Sequence, residues 1–210
     1  MKRSRQLNRG HKGRVRFAVG VLWLISCAGA VFAEQTKEGL TTTTVGVRPL
    51  QDGVSLRRAR ELRRQGALSL AEALILSEQP DPGSPQWYAW EHELWEVLGQ
   101  QQRWRSLIVR LEHTLPLLSA GRARNAKLLL ATTFTAVGEY VSARHVLRQL
   151  LLEAAGDPHQ SLQARRILIE NYLLDGRVGD AYVASIRFQF EFYPDDTEWK
   201  LLRAKILLLH

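Results

Sequence analysis

At 210 residues and 45% apolar content, the chain can hold one ordinary domain plus a processing segment, and it carries enough apolar side chains for a packed core, which excludes global disorder. Its formal charge of +8 is concentrated at one end: seven of the 29 cations, Lys2, Arg3, Arg5, Arg9, Lys12, Arg14 and Arg16, fall within residues 1–33, a stretch without acids. The other 22 stand against 21 acidic residues, so the body is nearly neutral and lacks the electrostatic footprint of a nucleic-acid-binding domain.

The basic stretch leads into Phe17 to Ala33, seventeen uncharged residues ending Val31-Phe32-Ala33 before Glu34. Small or modest residues before a polar start suit a signal peptidase, so residues 1–33 read as a secretory signal. Two alternatives stay open. The apolar run sits at the lower limit for crossing a bilayer, which allows an uncleaved anchor with its basic end inside. Leu24-Ile25-Ser26-Cys27 also resembles a lipobox whose Cys27 would be lipidated, although the residues after it remain apolar. Cys27 is the only cysteine, so a cleaved chain forms no disulfide and depends on packing, which suits a bacterial periplasm.

Residues 34–54 combine a threonine run with three glycines and a proline and show no periodicity, the composition of a flexible linker. From Ser55 onward apolar residues recur at intervals of three and four among Leu, Ala, Arg, Glu and Gln, and β-branched alternation is missing. The body is therefore all-helical. Breaks fall near Gly66, at Pro80 to Pro85, at Gly99, at Pro116 to Gly121, at Gly138, at Gly156 to Pro158, at Gly176 and at Pro194 to Asp196. They predict about eight helices and the start of a ninth.

Aligning the internal glycines exposes a repeat. Gly66 precedes Ala71 by five residues, as Gly99 precedes Trp104, Gly138 precedes Ala143 and Gly176 precedes Ala181. Four residues before each glycine stands a large apolar residue: Leu62, Trp95, Phe134 and Tyr172. A proline or glycine closes each second helix, and the anchors at 71, 104, 143 and 181 are 33, 39 and 38 residues apart. The clearest copies are LLLATTFTAVGEYVSARHVLRQLL from Leu128 and ARRILIENYLLDGRVGDAYVAS from Ala164.

This pattern resembles the tetratricopeptide repeat, in which a large residue in helix A, a turn glycine, a small residue early in helix B and a closing proline recur with a period near 34. The resemblance runs from about residue 55 to the end and implies a right-handed superhelix of stacked antiparallel hairpins. Its repeats would be about 55–83, 85–116, 122–158 and 161–194, with a further one starting at 197–210. There are departures. The small mid-helix residue is present as Ala59 and Ala131 but replaced by His92 and Ile169, and the late helix-B Ala is replaced by Glu78, Leu111, Leu150 and Phe188. Trp104 stands where a small residue normally lets the helices approach, so wider packing is expected there.

Hairpins of this kind bury a continuous core when stacked and leave a curved groove. The resemblance implies that the A helices line the concave side, where Arg60, Arg63, Glu93, Glu96, Thr132, Thr135, Arg166 and Glu170 would face a bound protein or peptide. Read without the resemblance, each is an ordinary solvated helix position.

Other constellations carry less chemistry. His92-Glu93-Leu94-Trp95-Glu96 is similar to the zinc signature H-E-x-x-H, but its second ligand would be Glu96 and His92 falls where helix A meets its partner, so it reads as a packed histidine. His113, His145 and His159 have no carboxylate or cysteine partner in sequence that would suggest a site, no Ser-His-Asp arrangement stands out, and no glycine-rich phosphate loop exists. Arg57, Arg58, Arg60, Arg63 and Arg64 form either a solvated first-helix face or a patch that steers an acidic partner or lipid headgroups. Trp87, Trp90, Trp95 and Trp104 gather around the second repeat as core or as an aromatic binding patch. The last segment, Trp199 to His210, begins a helix A and ends Leu207-Leu208-Leu209. It either docks on a partner, awaits a continuation, or packs back as a cap.

Together these features predict a non-enzymatic scaffold or adaptor without cofactor, metal or nucleic-acid partner, exported to the periplasm for a cell-envelope assembly. The alternatives are an inner-membrane-anchored or lipidated assembly factor with the same repeats and, in another class, an envelope enzyme, which a pocket of groups with shifted pKa values would reveal.

Overall fold

The structure, a computed structural model, describes residues 49–153 and 158–210, with side chains from residue 53. The expected signal or anchor at 1–33, Cys27 and residues 34–48 of the linker lie outside these. The described residues form nine α-helices and one short 3-10 turn: α1 (Pro49–Arg64), α2 (Leu68–Glu78), α3 (Trp87–Gln100), α4 (Trp104–Thr114), the 3-10 turn (Leu115–Leu117), α5 (Ala120–Ala136), α6 (Tyr140–Glu153), α7 (Pro158–Leu174), α8 (Val178–Phe192) and α9 (Thr197–Leu209).

α1 begins inside the segment expected to be linker. Proline suits the first helical position because its missing N–H would have had no partner there, and Pro49 takes it. Proline opens α7 in the same way at Pro158. Each odd-numbered helix from α1 to α7 packs antiparallel on the next as a hairpin. Successive hairpins then stack through α2 on α3, α4 on α5, α6 on α7 and α8 on α9, while α1 also touches α3 and α5 touches α7. First helices thus line one side and second helices the other, the all-α layering that a hairpin repeat dictates.

The four hairpin turns share one backbone device. The N–H groups of Ala67, Arg103, Glu139 and Arg177 donate at 2.9–3.0 Å to the carbonyls of Leu62, Leu98, Phe134 and Tyr172, closing each first helix with a Schellman-type bond. The residue just before each donor is left-handed: Gly66 at φ +79°, Gln102 at +56°, Gly138 at +81° and Gly176 at +74°. Gly99 is therefore not the turn of the second hairpin. It is buried in α3, where a Cβ would meet the Trp104 ring at an ordinary 4.0 Å, and Gln102 holds the place that glycine takes elsewhere.

This moves the second repeat by three residues. The residue closing helix against helix is Leu107, fully buried, while Trp104 lies half-buried in the first turn of α4. The anchors become 71, 107, 143 and 181, spaced 36, 36 and 38. The mid-helix position becomes Trp95 rather than His92, and the large residue before the turn becomes Leu98 rather than Trp95.

Three apolar cores lie in sequence. The first joins α1 to α4 with the inner faces of α5 and α6 and includes Ile75, Trp90, Trp95, Leu107 and Phe134. The second, around Ala131, Leu147, Leu150 and Ala164, lies between α5, α6 and α7. The third packs Ile169, Ala181, Phe188, Trp199 and Ile206 between α7, α8 and α9. Trp87, Trp90 and Trp95 are core residues, at most 4% exposed, and offer no aromatic binding patch.

Candidate functional site

The face of the first helices carries the polar residues expected to line a groove, and at its N-terminal end they are paired with one another. Arg60 and Arg63 of α1 reach α3, where both Nε atoms donate to Glu93, at 3.3 and 2.5 Å, and an Arg63 terminal nitrogen lies 3.8 Å from Glu96. Glu93 is buried and Arg63 mostly so, whereas the Arg60 side chain is 43% exposed. These contacts tie hairpin one to hairpin two. They leave Arg60 as the member with a free surface, while Glu93 is too enclosed to meet a ligand. Of the arginine cluster, Arg57, Arg58 and Arg64 are solvated on α1.

Beside this cluster His92 lies between Tyr88 and Trp95, with ring centroids 6.1 and 5.9 Å away, and the Arg122 guanidinium of α5 sits 4.3 Å over the Tyr88 ring. Burial holds the His92 imidazole below its ordinary pKa, against the pull of Glu96 and Glu93, and burial pushes the Tyr88 phenol up. His92 is a packed histidine. No group of three His, Cys, Asp or Glu among the described residues is placed to hold a metal ion.

Further along, Thr132 donates to the carbonyls of Leu129 and Leu128, and buried Thr135 donates to Ala131 and accepts from the Asn171 amide at 2.9 Å. Thr135 is therefore an internal tie and presents nothing to a partner. Arg166 of α7 crosses to the start of α9, 2.6 Å from Asp196 and 3.4 Å from Glu198. Asp196 also caps α9 by accepting the Trp199 N–H at 2.8 Å. Burial works to raise the Asp196 carboxyl, but the Trp199 amide and Arg166 hold it below its usual value. One turn along α7, burial pushes the Glu170 carboxyl up to about 7, with Arg166 and Lys205 opposing and Glu198 assisting.

Two buried polar networks were not read from the sequence. Fully enclosed Glu91 of α3 accepts from Gln79, Trp95 and two nitrogens of Arg110, at 2.5–2.8 Å, joining the end of α2 to α3 and α4. Its hydrogen bond to Glu91 raises Arg110 above its ordinary pKa. Arg144 of α6 donates at 2.8 Å to both Asn171 and Asp175, and Asn171 continues to Thr135. The signal was present in both cases: Glu91 stands within the stripe Trp87, Trp90, Leu94, Trp95 and Leu98, and Arg144 beside Ala143, Leu147 and Leu150. A charge inside an apolar stripe needs a buried partner.

A cleft of about 270 Å³ opens between α6, α7 and α8 over Leu168, Ile169 and Tyr172, rimmed by Arg165 and Arg187. Arg165 is turned to Glu191 at 3.1 Å, and His92, Glu170 and Tyr88 do not line the cleft. It gathers none of the shifted groups that an enzymatic pocket would.

Helix pairing, shared turn geometry and a period of 36 to 38 residues define a TPR-like repeat fold. Two solved structures carry the same architecture. A Podosopora anserina putative kinesin light chain with nearly identical TPR-like repeats superposes with a TM-score of 0.60 over 78% of this chain and 87% of that one, at 16% identity. A point variant of the same Podosopora anserina protein gives a TM-score of 0.58 over 90% and 89% of the two chains, at 17% identity. No family model matches the sequence, and no curated protein matches it. At such identities the likeness is one of fold.

Proposed function

We propose that the chain is an exported scaffold or adaptor of a cell-envelope assembly, which binds a segment of another protein along the face of its first helices. The observation that carries this reading is the repeat architecture itself, because stacked hairpins present a long face built from one helix of every repeat. Along that face Arg60, Arg122 and Arg166 alternate with Glu96 and Glu170, a mixed lining suited to a peptide or helix rather than to a small substrate.

Export rests on the seven cations and seventeen uncharged residues before Glu34. In the anchored alternative those residues are retained. No helix among the described residues is long and apolar enough to cross a membrane, so an anchor would have to come from outside them.

The test expresses the full chain in a Gram-negative bacterium, with fractionation, intact mass and crosslinking. Loss of the mass of residues 1–33 in the periplasmic fraction supports export, retention in the membrane supports the anchor, and a full-length cytoplasmic chain refutes both. Crosslinked capture of an envelope protein that Arg60→Glu with Arg122→Glu abolishes supports the face of the first helices. Unchanged capture by that folded variant refutes it.

A further inference from the structure

The outward face of α8 is apolar along its whole length. Gly179, Val183, Ile186, Phe190 and Tyr193 follow one another at intervals of four and three residues, which sets them in a single stripe. All are exposed, Val183 at 52%, Ile186 at 37%, Phe190 at 70% and Tyr193 at 74%. Aligned on the buried Ala143 and Ala181, the matching places in α6 are Val141, His145, Arg148 and Leu152; aligned on Leu107, those in α4 are Arg105, Val109 and Glu112. These too are exposed, although a further hairpin packs on both α4 and α6. The stripe is therefore a surface that stays open where the array continues, and it is not the seam between hairpins. In α4 and α6 charges interrupt it. In α8 nothing does, and an uninterrupted apolar stripe at this spacing is the seam of a two-helix coil.

The stripe is complementary to itself when a second copy runs the opposite way. Placing Val183 across from the partner's Ile186 fixes the register, and Phe190 then faces the partner's Gly179 while Tyr193 faces the partner's Gly176. The largest residues of the stripe meet the smallest. Both glycines have the room, since a Cβ built on either finds nothing within 4 Å. The same register matches charge. Asp180 and Arg187 border the stripe on one side, seven residues apart and exposed, and antiparallel pairing sets Asp180 beside the partner's Arg187 and Arg187 beside the partner's Asp180. Within the chain Asp180 accepts from Arg177 through one oxygen at 2.7 Å, and Arg187 has no ion pair among the described residues. A parallel pair would instead stack phenylalanine on phenylalanine, leave a gap between two glycines, and give neither charge an opposite.

We propose that α8 pairs with α8 of a second copy of this chain, antiparallel across the Gly179 to Tyr193 stripe, with Asp180 and Arg187 matched crosswise between the copies. The seam spans only about four helical turns, so the dimer is reversible rather than permanent. It uses a second helix and stands apart from the face of the first helices.

Sedimentation equilibrium of the full chain from about 1 to 300 μM should show monomer passing into dimer. Ile186→Glu should leave a monomer. Gly179→Leu should weaken the dimer about tenfold or more by obstructing Phe190 of the partner subunit, while the monomer unfolds no sooner, because the added side chain meets open space and a helix glycine is removed. Asp180→Lys and Arg187→Asp should each weaken self-association. An equimolar mixture of those two variants should pair again, since each supplies the charge the other lacks. The substituted residues are exposed, so every variant keeps its helical circular dichroism. A chain that stays monomeric overturns the proposal and leaves the stripe to a different protein, and a dimer that Ile186→Glu leaves intact overturns it as well. A dimer indifferent to Gly179→Leu, or a mixture that associates no better than its two components, refutes the antiparallel pairing.

Discussion

The turn of the second hairpin makes a prediction of opposite signs for two glycines. Gly99 lies inside α3 with an ordinary backbone, and a methyl group there would rest 4.0 Å from the Trp104 ring without a clash. Gly99→Ala should therefore stabilise the chain by about 0.5–1 kcal/mol, the usual gain from removing a helix-interior glycine. Gly138 has φ +81°, where a Cβ costs about 1–2 kcal/mol, offset in part by the reduced freedom of the unfolded chain. Gly138→Ala should destabilise by about 1 kcal/mol. Gln102→Gly should relieve part of the same penalty at φ +56° and stabilise slightly. Urea unfolding followed by circular dichroism reads all three. With a slope of about 2 kcal/mol per molar urea, the midpoint should rise by roughly 0.3 M for Gly99→Ala and fall by roughly 0.5 M for Gly138→Ala. Equal losses in the two alanine variants would mean that Gly99 is a turn residue after all, and the register built on Gln102 would fail.

Arg110→Met should cost about 3 kcal/mol in the same assay, because it strands the enclosed Glu91 carboxylate with only Gln79 and Trp95 as donors. Adding Glu91→Gln should recover part of that loss, and a double variant worse than Arg110→Met alone would contradict the pairing. Asn171→Leu should cost about 2 kcal/mol by leaving Thr135 and Arg144 short of partners, with the loss seen as faster hydrogen exchange in α5 to α7. The pH dependence of stability should carry the mark of Glu170. Its folded pKa of about 7 is raised above the ordinary value, so the folded state holds the proton more tightly and stability falls as pH rises from about 4.5 to 7. Glu170→Gln should flatten that slope; an unchanged slope would rule Glu170 out as its source.

The helical class, the hairpin repeat and most boundaries were legible because Leu and Ala recur at helical spacing and Gly66, Gly138 and Gly176 mark turns that need a left-handed residue. The second repeat misled because its turn uses Gln102, a residue type without a turn signature, while a glycine three residues earlier serves packing instead. The linker boundary missed the start of α1, where Gly53 and Val54 look unhelical by composition and are carried along by the helix that continues after them. The residues expected to line a groove do fall on first helices, yet which ones stay free depends on partners some thirty residues away. Glu93 and Thr135 are enclosed by contacts with Arg63 and Asn171 that no local pattern displays.

The three cores share walls: α5 faces the first and second, and α7 faces the second and third. The main contacts run from α9 to α8 and α7, on to α5 and α6, and then through α4 and α3, so a loss of order at α9 reaches α1 only through the helices between them. Amide protection should accordingly fall in steps along the chain rather than collapse at one threshold, with the terminal section exchanging first. A molecule built this way can loosen at one end while its opposite end keeps its shape.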